Sequence, residues 1–202
     1  MHLAAIFAVL SGIVVIIGGP PYLYDILKGR TKPERTTWFI WTVLGSIAFV
    51  TQVQLGAHWS LLFAGLNVAG NLAVFLLSIK FGVGGWKRID IAALLIACVG
   101  LVLSFVTRSP LVALWGVIVA DAAGTVPTLY KTYLMPKSET TITWLALGTS
   151  SLLAIFSVGS WKFSLLLYPV YITLSNYIVV AAQIAGTPRK ARKRTISFLA
   201  GR

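Results

Sequence analysis

Seven apolar stretches, each close to the length that crosses a bilayer, constrain this chain more than any other feature. A helix needs about 20 apolar residues to span a hydrocarbon core of ~30 Å. The stretches run Leu3–Tyr24, Trp38–Leu55, Trp59–Ile79, Ile91–Thr107, Pro110–Tyr130, Ile142–Gly159 and Phe163–Gly186. The fourth is the shortest and contains no strongly polar residue. The connections are short, so no soluble domain interrupts them. The chain is 57% hydrophobic and 11% charged, and a soluble fold of 202 residues could not hide so much apolar surface. These features predict an all-α integral membrane protein of seven transmembrane helices. The first stretch lacks a basic leader and a small-residue cleavage site, so it reads as a retained helix and not as a signal peptide.

The charges give an orientation. The chain carries 17 Lys and Arg against 5 Asp and Glu, a net charge of +12. With the N-terminus outside, Lys28, Arg30, Lys32, Arg35, Lys80, Lys87, Arg88, Lys131 and Lys137 fall on the inner side. The tail adds Arg189, Lys190, Arg192, Lys193, Arg194 and Arg202, leaving Arg108 and Lys162 outside. The positive-inside rule therefore predicts an external N-terminus and a cytoplasmic C-terminus. Short loops and small size suit a bacterial cytoplasmic membrane. The basic tail, residues 187–202, reads as a topology anchor that also meets anionic lipid headgroups. Nucleic acid is not expected as a partner, because no aromatic-interleaved groove accompanies the charge.

The chain also repeats itself. At an offset of 106, Pro21–Trp38 aligned on Pro127–Trp144 gives five identities in eighteen positions: Pro21/Pro127, Leu23/Leu129, Tyr24/Tyr130, Thr37/Thr143 and Trp38/Trp144. Average composition would give about one. Gly18 matches Gly124 at the same offset. At 105, Lys32-Pro33-Glu34 matches Lys137-Ser138-Glu139, and Asn71 matches Asn176. The pattern predicts a triple-helix repeat over residues 1–80, a linker helix within 81–109, a second triple-helix repeat over 110–186 and the tail. The lone middle helix supplies the crossing that lets both repeats point the same way, the parallel arrangement known among transporters.

This 3+1+3 plan resembles the SWEET sugar transporters and the wider PQ-loop superfamily. Pro127-Thr-Leu-Tyr-Lys-Thr-Tyr-Leu-Met-Pro-Lys-Ser-Glu139 resembles their Pro-Gln segment and its basic loop, and Pro21-Tyr-Leu-Tyr-Asp-Ile-Leu-Lys-Gly-Arg-Thr-Lys32 resembles it less closely. Tyr22 and Thr128 stand where the family has Gln, and neither second helix carries the family's proline. The resemblance implies that Asn71 and Asn176 bind substrate and that Pro21 and Pro127 are hinges. Asp121-Ala-Ala-Gly124 ahead of Pro127 resembles the proton-coupling aspartate of the cystine-exporting branch, which implies that role for Asp121. Val15 occupies the matching place in the first repeat.

The residues themselves leave each role with an alternative. An asparagine offers donors and an acceptor on one side chain, so Asn71 and Asn176 suit a hydroxylated or amino-acid-like solute, or interhelical hydrogen bonding. Asn67 lies on the same helical face as Asn71 and reads as packing or pocket wall. Asp121 is the acid well inside a span, where a charge costs about 2.5–3.5 kcal/mol on insertion scales. It serves proton uptake and release, or a structural hydrogen bond. Pro21 and Pro127, with Pro20, permit bending or end their helices. Gly12, Gly65, Gly70, Gly100 and Gly116 read as packing positions. Most of the tryptophans near helix ends read as interface anchors.

No phosphate-cradling loop, zinc motif or nucleophile–base set is present, and no cofactor or metal is implied. Cys98 has no disulfide partner in the chain. The expectation is a non-enzymatic carrier of a small polar solute, working by alternating access with the option of proton coupling through Asp121. The alternative is a receptor, scaffold or cargo-binding membrane protein on the same fold. Homo-oligomerisation stays open.

Overall fold

A computed structural model describes residues 2–54, 59–107, 109–158 and 161–186. The basic tail, and the ends of the second and sixth apolar stretches at Leu55 and Gly159, lie outside the described residues. The described residues form seven α-helices: α1 (His2–Leu27), α2 (Arg35–Gln54), α3 (Trp59–Phe81), α4 (Arg88–Val106), α5 (Pro110–Leu134), α6 (Thr141–Ser157) and α7 (Phe163–Ala185). A single 3-10 turn, Pro136–Ser138, precedes α6. Each helix overlies one of the seven apolar stretches. None of these internal prolines ends its helix: α1 runs through Pro20 and Pro21, α5 through Pro127 and α7 through Pro169.

Among the described residues, three helices are long and apolar enough to cross a membrane: Leu3–Leu27, Leu111–Leu134 and Leu165–Ala185. At 1.5 Å per residue even the shortest, of 21 residues, reaches about 31 Å. The chain is thus a multi-pass membrane protein. Its surface agrees with that solvent. Along α1, Leu3, Ile6, Val9, Leu10, Ile13 and Ile17 are exposed, a patch that water would penalise and lipid would not. Meanwhile Thr37, Asp121, Thr143 and Asn176 are buried.

The chain divides into two compact units, residues 1–31 with 128–202, and residues 32–127. α1 thus falls in one unit with α6 and α7, and α5 is divided between the units after Pro127. In the first unit α1 packs on α6, and α6 packs on α7. In the second, α2 packs on α3 and α4, around a core of Ile40, Ala93, Ala97, Ala120 and Ala123.

The α1–α6 seam of the first unit is close because Gly18 faces Ala146, whose side chain occupies the space a Cβ on Gly18 would need. Thr143 Oγ1 donates to the Gly18 carbonyl at 2.7 Å. In the second unit, Gly124 of α5 faces Ile40 of α2, with a Cβ there placed 3.0 Å from Ile40 Cγ2. Thr37 Oγ1 donates to the Gly124 carbonyl at 2.5 Å. Gly18 and Gly124, Thr37 and Thr143, and Ile40 and Ala146 are each 106 residues apart. The same three-residue contact therefore closes both seams.

Candidate functional site

Asp121 sits in α5 of the second unit, 7% exposed. Its neighbours Ala120 and Ala123 belong to the apolar core, so the carboxyl is carried into the helix packing and away from lipid. One turn later, Thr125 Oγ1 donates to the Asp121 backbone carbonyl at 3.0 Å. Gly124, held by Thr37, and the buried Pro127 complete the same stretch.

Asn71 lies on α3 of the second unit and is partly buried. Its Nδ2 donates to the Trp41 carbonyl of α2 at 3.4 Å and to Asn67 Oδ1 at 3.2 Å. Asn67 is exposed, so it partners Asn71 and does not fill the core. Asn176 lies on α7 of the first unit, 8% exposed, and its Nδ2 donates to the Ile172 carbonyl at 2.8 Å. The two amides at matching positions thus keep different company. One binds across to a neighbouring helix and to a second amide, and the other binds back to its own helix. α7 also holds Pro169, whose carbonyl accepts from Thr173 Oγ1 at 2.8 Å. This internal proline was not singled out in the sequence, although its place one turn before Thr173 and two before Asn176 is visible there. Pro21, on α1, is partly buried in the first unit.

Two buried glutamates were legible as a motif but not as centres of polar structure. In the first unit Glu139 Oε1 pairs with Lys131 Nζ, both buried. Glu139 Oε2 accepts from Trp144 Nε1 at 2.8 Å, and its backbone carbonyl accepts from Gln183 Nε2 at 3.0 Å. Beside it, Thr140 Oγ1 donates to Asp25 Oδ2 at 2.9 Å and meets Thr31 Oγ1 at 2.5 Å. These bonds tie α1, α6, α7 and the end of α5 at one end of the unit. A buried ion pair survives only with such added partners.

In the second unit Glu34 Oε2 accepts from the backbone N–H of Thr37 at 2.9 Å, and at 3.2 Å it shares the one Thr37 hydroxyl proton with the nearer Gly124 carbonyl. The bond from the backbone N–H satisfies one of the orphan donors of the first turn of α2. The next residue, Arg35, caps the far end of α3. Its guanidinium donates to the carbonyls of Ser78 at 2.8 Å, Gly84 at 2.9 Å, Gly82 at 3.1 Å and Ile79 at 3.3 Å. A cation is favoured there by the helix dipole as well as by the unpaired carbonyls. Arg35 and Lys131, counted from sequence as loop charges, are therefore engaged in holding helices together.

No group of three or more His, Cys, Asp or Glu side chains placed to hold a metal occurs among the described residues. No protein-family model, curated protein or solved structure matches the chain.

Proposed function

We propose that the protein is a membrane carrier for a small polar solute, in which all seven helices cross the bilayer as two parallel triple-helix repeats and a linker helix. The observation that carries this reading is the seam contact repeated at an offset of 106: a threonine hydroxyl on a glycine carbonyl, in the turn before a proline, once in each unit. A duplicated bundle with one pliant helix in each half is the kind of architecture from which alternating access is built. Polar groups inside apolar helices support it further, since they are costly in lipid and tend to mark solute or proton paths. Asn71 and Asn176 are the proposed solute-binding amides. Asp121 is the proposed proton-coupling acid, and Pro21 and Pro127 are the proposed hinges. This reading places the chain with SWEET-like and PQ-loop carriers, N-terminus outside.

Flux tests it. The purified protein in vesicles is expected to move a labelled neutral sugar or amino acid, and Asn71→Ala is expected to abolish that movement. Asp121→Asn is expected to remove dependence on a pH gradient. Solute binding with no flux would favour a receptor instead, and a pH dependence that survives in Asp121→Asn would retire the proton role.

A further inference from the structure

α1 ends in a turn that gathers positive charge. Gly29 takes a positive φ of 70°. Its N–H donates to the Ile26 carbonyl at 2.9 Å, and the N–H of Arg30 donates to the Asp25 carbonyl at 2.9 Å. Those two bonds define a Schellman cap, in which glycine reverses the chain at no steric cost. The apolar contact common across such a cap is replaced here by an ion pair, Arg30 Nη1 to Asp25 Oδ1 at 3.6 Å. The reversal folds two cations back on one ring: Lys28 Nζ lies 5.5 Å and Arg30 Cζ 5.9 Å from the centroid of Tyr24.

Charge is left over at this turn. Asp25, which pairs with Arg30, also accepts from Thr140 Oγ1 at 2.9 Å. Lys28 has no carboxylate partner among the described residues. Arg30 is 68% exposed on its side chain, so its ion pair is screened and weak. The carbonyls of Tyr24, Asp25 and Ile26 already accept backbone N–H groups and leave the cations free to face outward. Tyr24 is 53% exposed, in the last turn of the span Leu3–Leu27. Ile13 and Ile17 lie on its face of the helix and are exposed too. From Ile13 to Tyr24 is about 16 Å along the axis, close to the depth of hydrocarbon in one leaflet. The second copy of the repeat is the contrast. Tyr130 matches Tyr24 and is also exposed, but Leu134, Met135 and Pro136 stand for Lys28, Gly29 and Arg30.

We propose that the C-terminal turn of α1 binds one anionic phospholipid. Its phosphate is held by Lys28 and Arg30 beside the ring of Tyr24, and an acyl chain runs along Ile17 and Ile13. A guanidinium matches phosphate in a bidentate geometry and an ammonium adds a point charge. A tyrosine suits the junction of headgroup and chain, having an apolar ring and a polar tip. The site is distinct from the basic tail, whose attraction to an anionic surface needs no ring and no fixed headgroup position. It does not rest on the carrier reading.

Native mass spectrometry of the full chain in detergent tests the site, with phosphatidylglycerol or phosphatidylcholine of the same acyl chains as the added lipid. The first phosphatidylglycerol is expected to bind more tightly than phosphatidylcholine. A basic residue at a membrane surface is worth about fivefold in affinity. Lys28→Gln with Arg30→Gln is therefore expected to weaken the first phosphatidylglycerol about thirtyfold. Arg192→Gln with Lys193→Gln, the same loss of charge in the tail, is expected to leave it unchanged. Tyr24→Leu should weaken it about two- to fivefold, the worth of an exposed cation–π contact, while Tyr24→Phe and Tyr130→Leu have no effect. Should the double variant at Lys28 and Arg30 not fold, Tyr24→Leu against Tyr24→Phe decides alone. Equal weakening by the two charge pairs, or by Tyr24→Leu and Tyr130→Leu, overturns the site in favour of a diffuse field. Phosphatidylcholine binding as tightly as phosphatidylglycerol overturns it, as does binding that falls only in step with the unfolding temperature. Displacement of the lipid by millimolar inorganic phosphate would make the occupant a soluble anion and overturns it too.

Discussion

The α1–α6 seam of the first unit and the α5–α2 seam of the second share one contact and differ in nearly everything around it. Both bring a glycine under a side chain of the facing helix, and both cover the glycine carbonyl with a threonine hydroxyl. Around that contact the first seam is hydroxylated, through Ser11 and Ser150. The second includes the buried apolar cluster of Ile40, Ala120 and Ala123. The loop glutamates show the same relation. Glu139 pairs with buried Lys131, whereas Glu34 accepts from Thr37. Close backbone approach permits very few residues, so glycine and its threonine recur. The periphery tolerates any filling that leaves no polar group unpaired. The hydroxyls of Ser11 and Ser150 thus add to the first seam a pair of bonds between α1 and α6, at places where Val117 and Leu44 stand in the second.

The largest effect is expected at the glutamates. Lys131→Met leaves the Glu139 carboxylate buried with its charge uncompensated, which costs about 3 to 5 kcal/mol. Thermal unfolding in detergent should register it as a large loss. Glu34→Gln in the second unit keeps an acceptor for Thr37 and should cost much less, so equal losses would break the contrast between the two loops.

Glycine substitutions come next. Gly18→Ala pushes a methyl into Ala146, which has no rotamer to turn away, and overpacking of this kind costs about 1 to 3 kcal/mol. Gly124→Ala meets Ile40, a longer side chain that can shift, so its cost should fall at the lower end of the same range. A reversed order in the unfolding midpoints would mean that the α5 seam is the stiffer of the two.

The smallest effects sharpen the comparison most. Thr143→Val removes one hydrogen bond, worth about 1 kcal/mol, and Thr37→Val removes a hydroxyl shared between the Gly124 carbonyl and Glu34, a loss of the same order. Hydrogen exchange should rise around Gly124 in Thr37→Val, and rise less around Gly18 in Thr143→Val because Ser11 and Ser150 still hold α1. Arg35→Gln should increase exchange at the end of α3, over residues 78–84, with little change in α6.

Much of this was legible in the sequence. Apolar length located all seven helices, and the offset of 106 picked out Gly18, Gly124, Thr37 and Thr143. Partner choice was not legible. Thr143 finds Gly18 across 125 residues and Ser150 finds Ser11 across 139, and no local pattern encodes such pairings. The charges misled for a related reason. Lys131 and Arg35 look like any loop cation until the fold brings Glu139 to one and the end of α3 to the other. Asn71 and Asn176 were legible as a pair, but their unlike partners depend on Asn67 and on the reach of each amide.

Disulfide trapping in native membranes addresses the matched seams most directly. In a Cys98→Ser background, Ser11→Cys with Ser150→Cys, whose hydroxyls lie 2.9 Å apart, and Val117→Cys with Leu44→Cys, the pair at the matching positions, place one thiol pair in each seam. Both pairs are expected to oxidise readily to intramolecular disulfides, identified by mass spectrometry of the digested protein. One pair oxidising while the other stays reduced, or neither oxidising, would contradict the equivalence of the two seams.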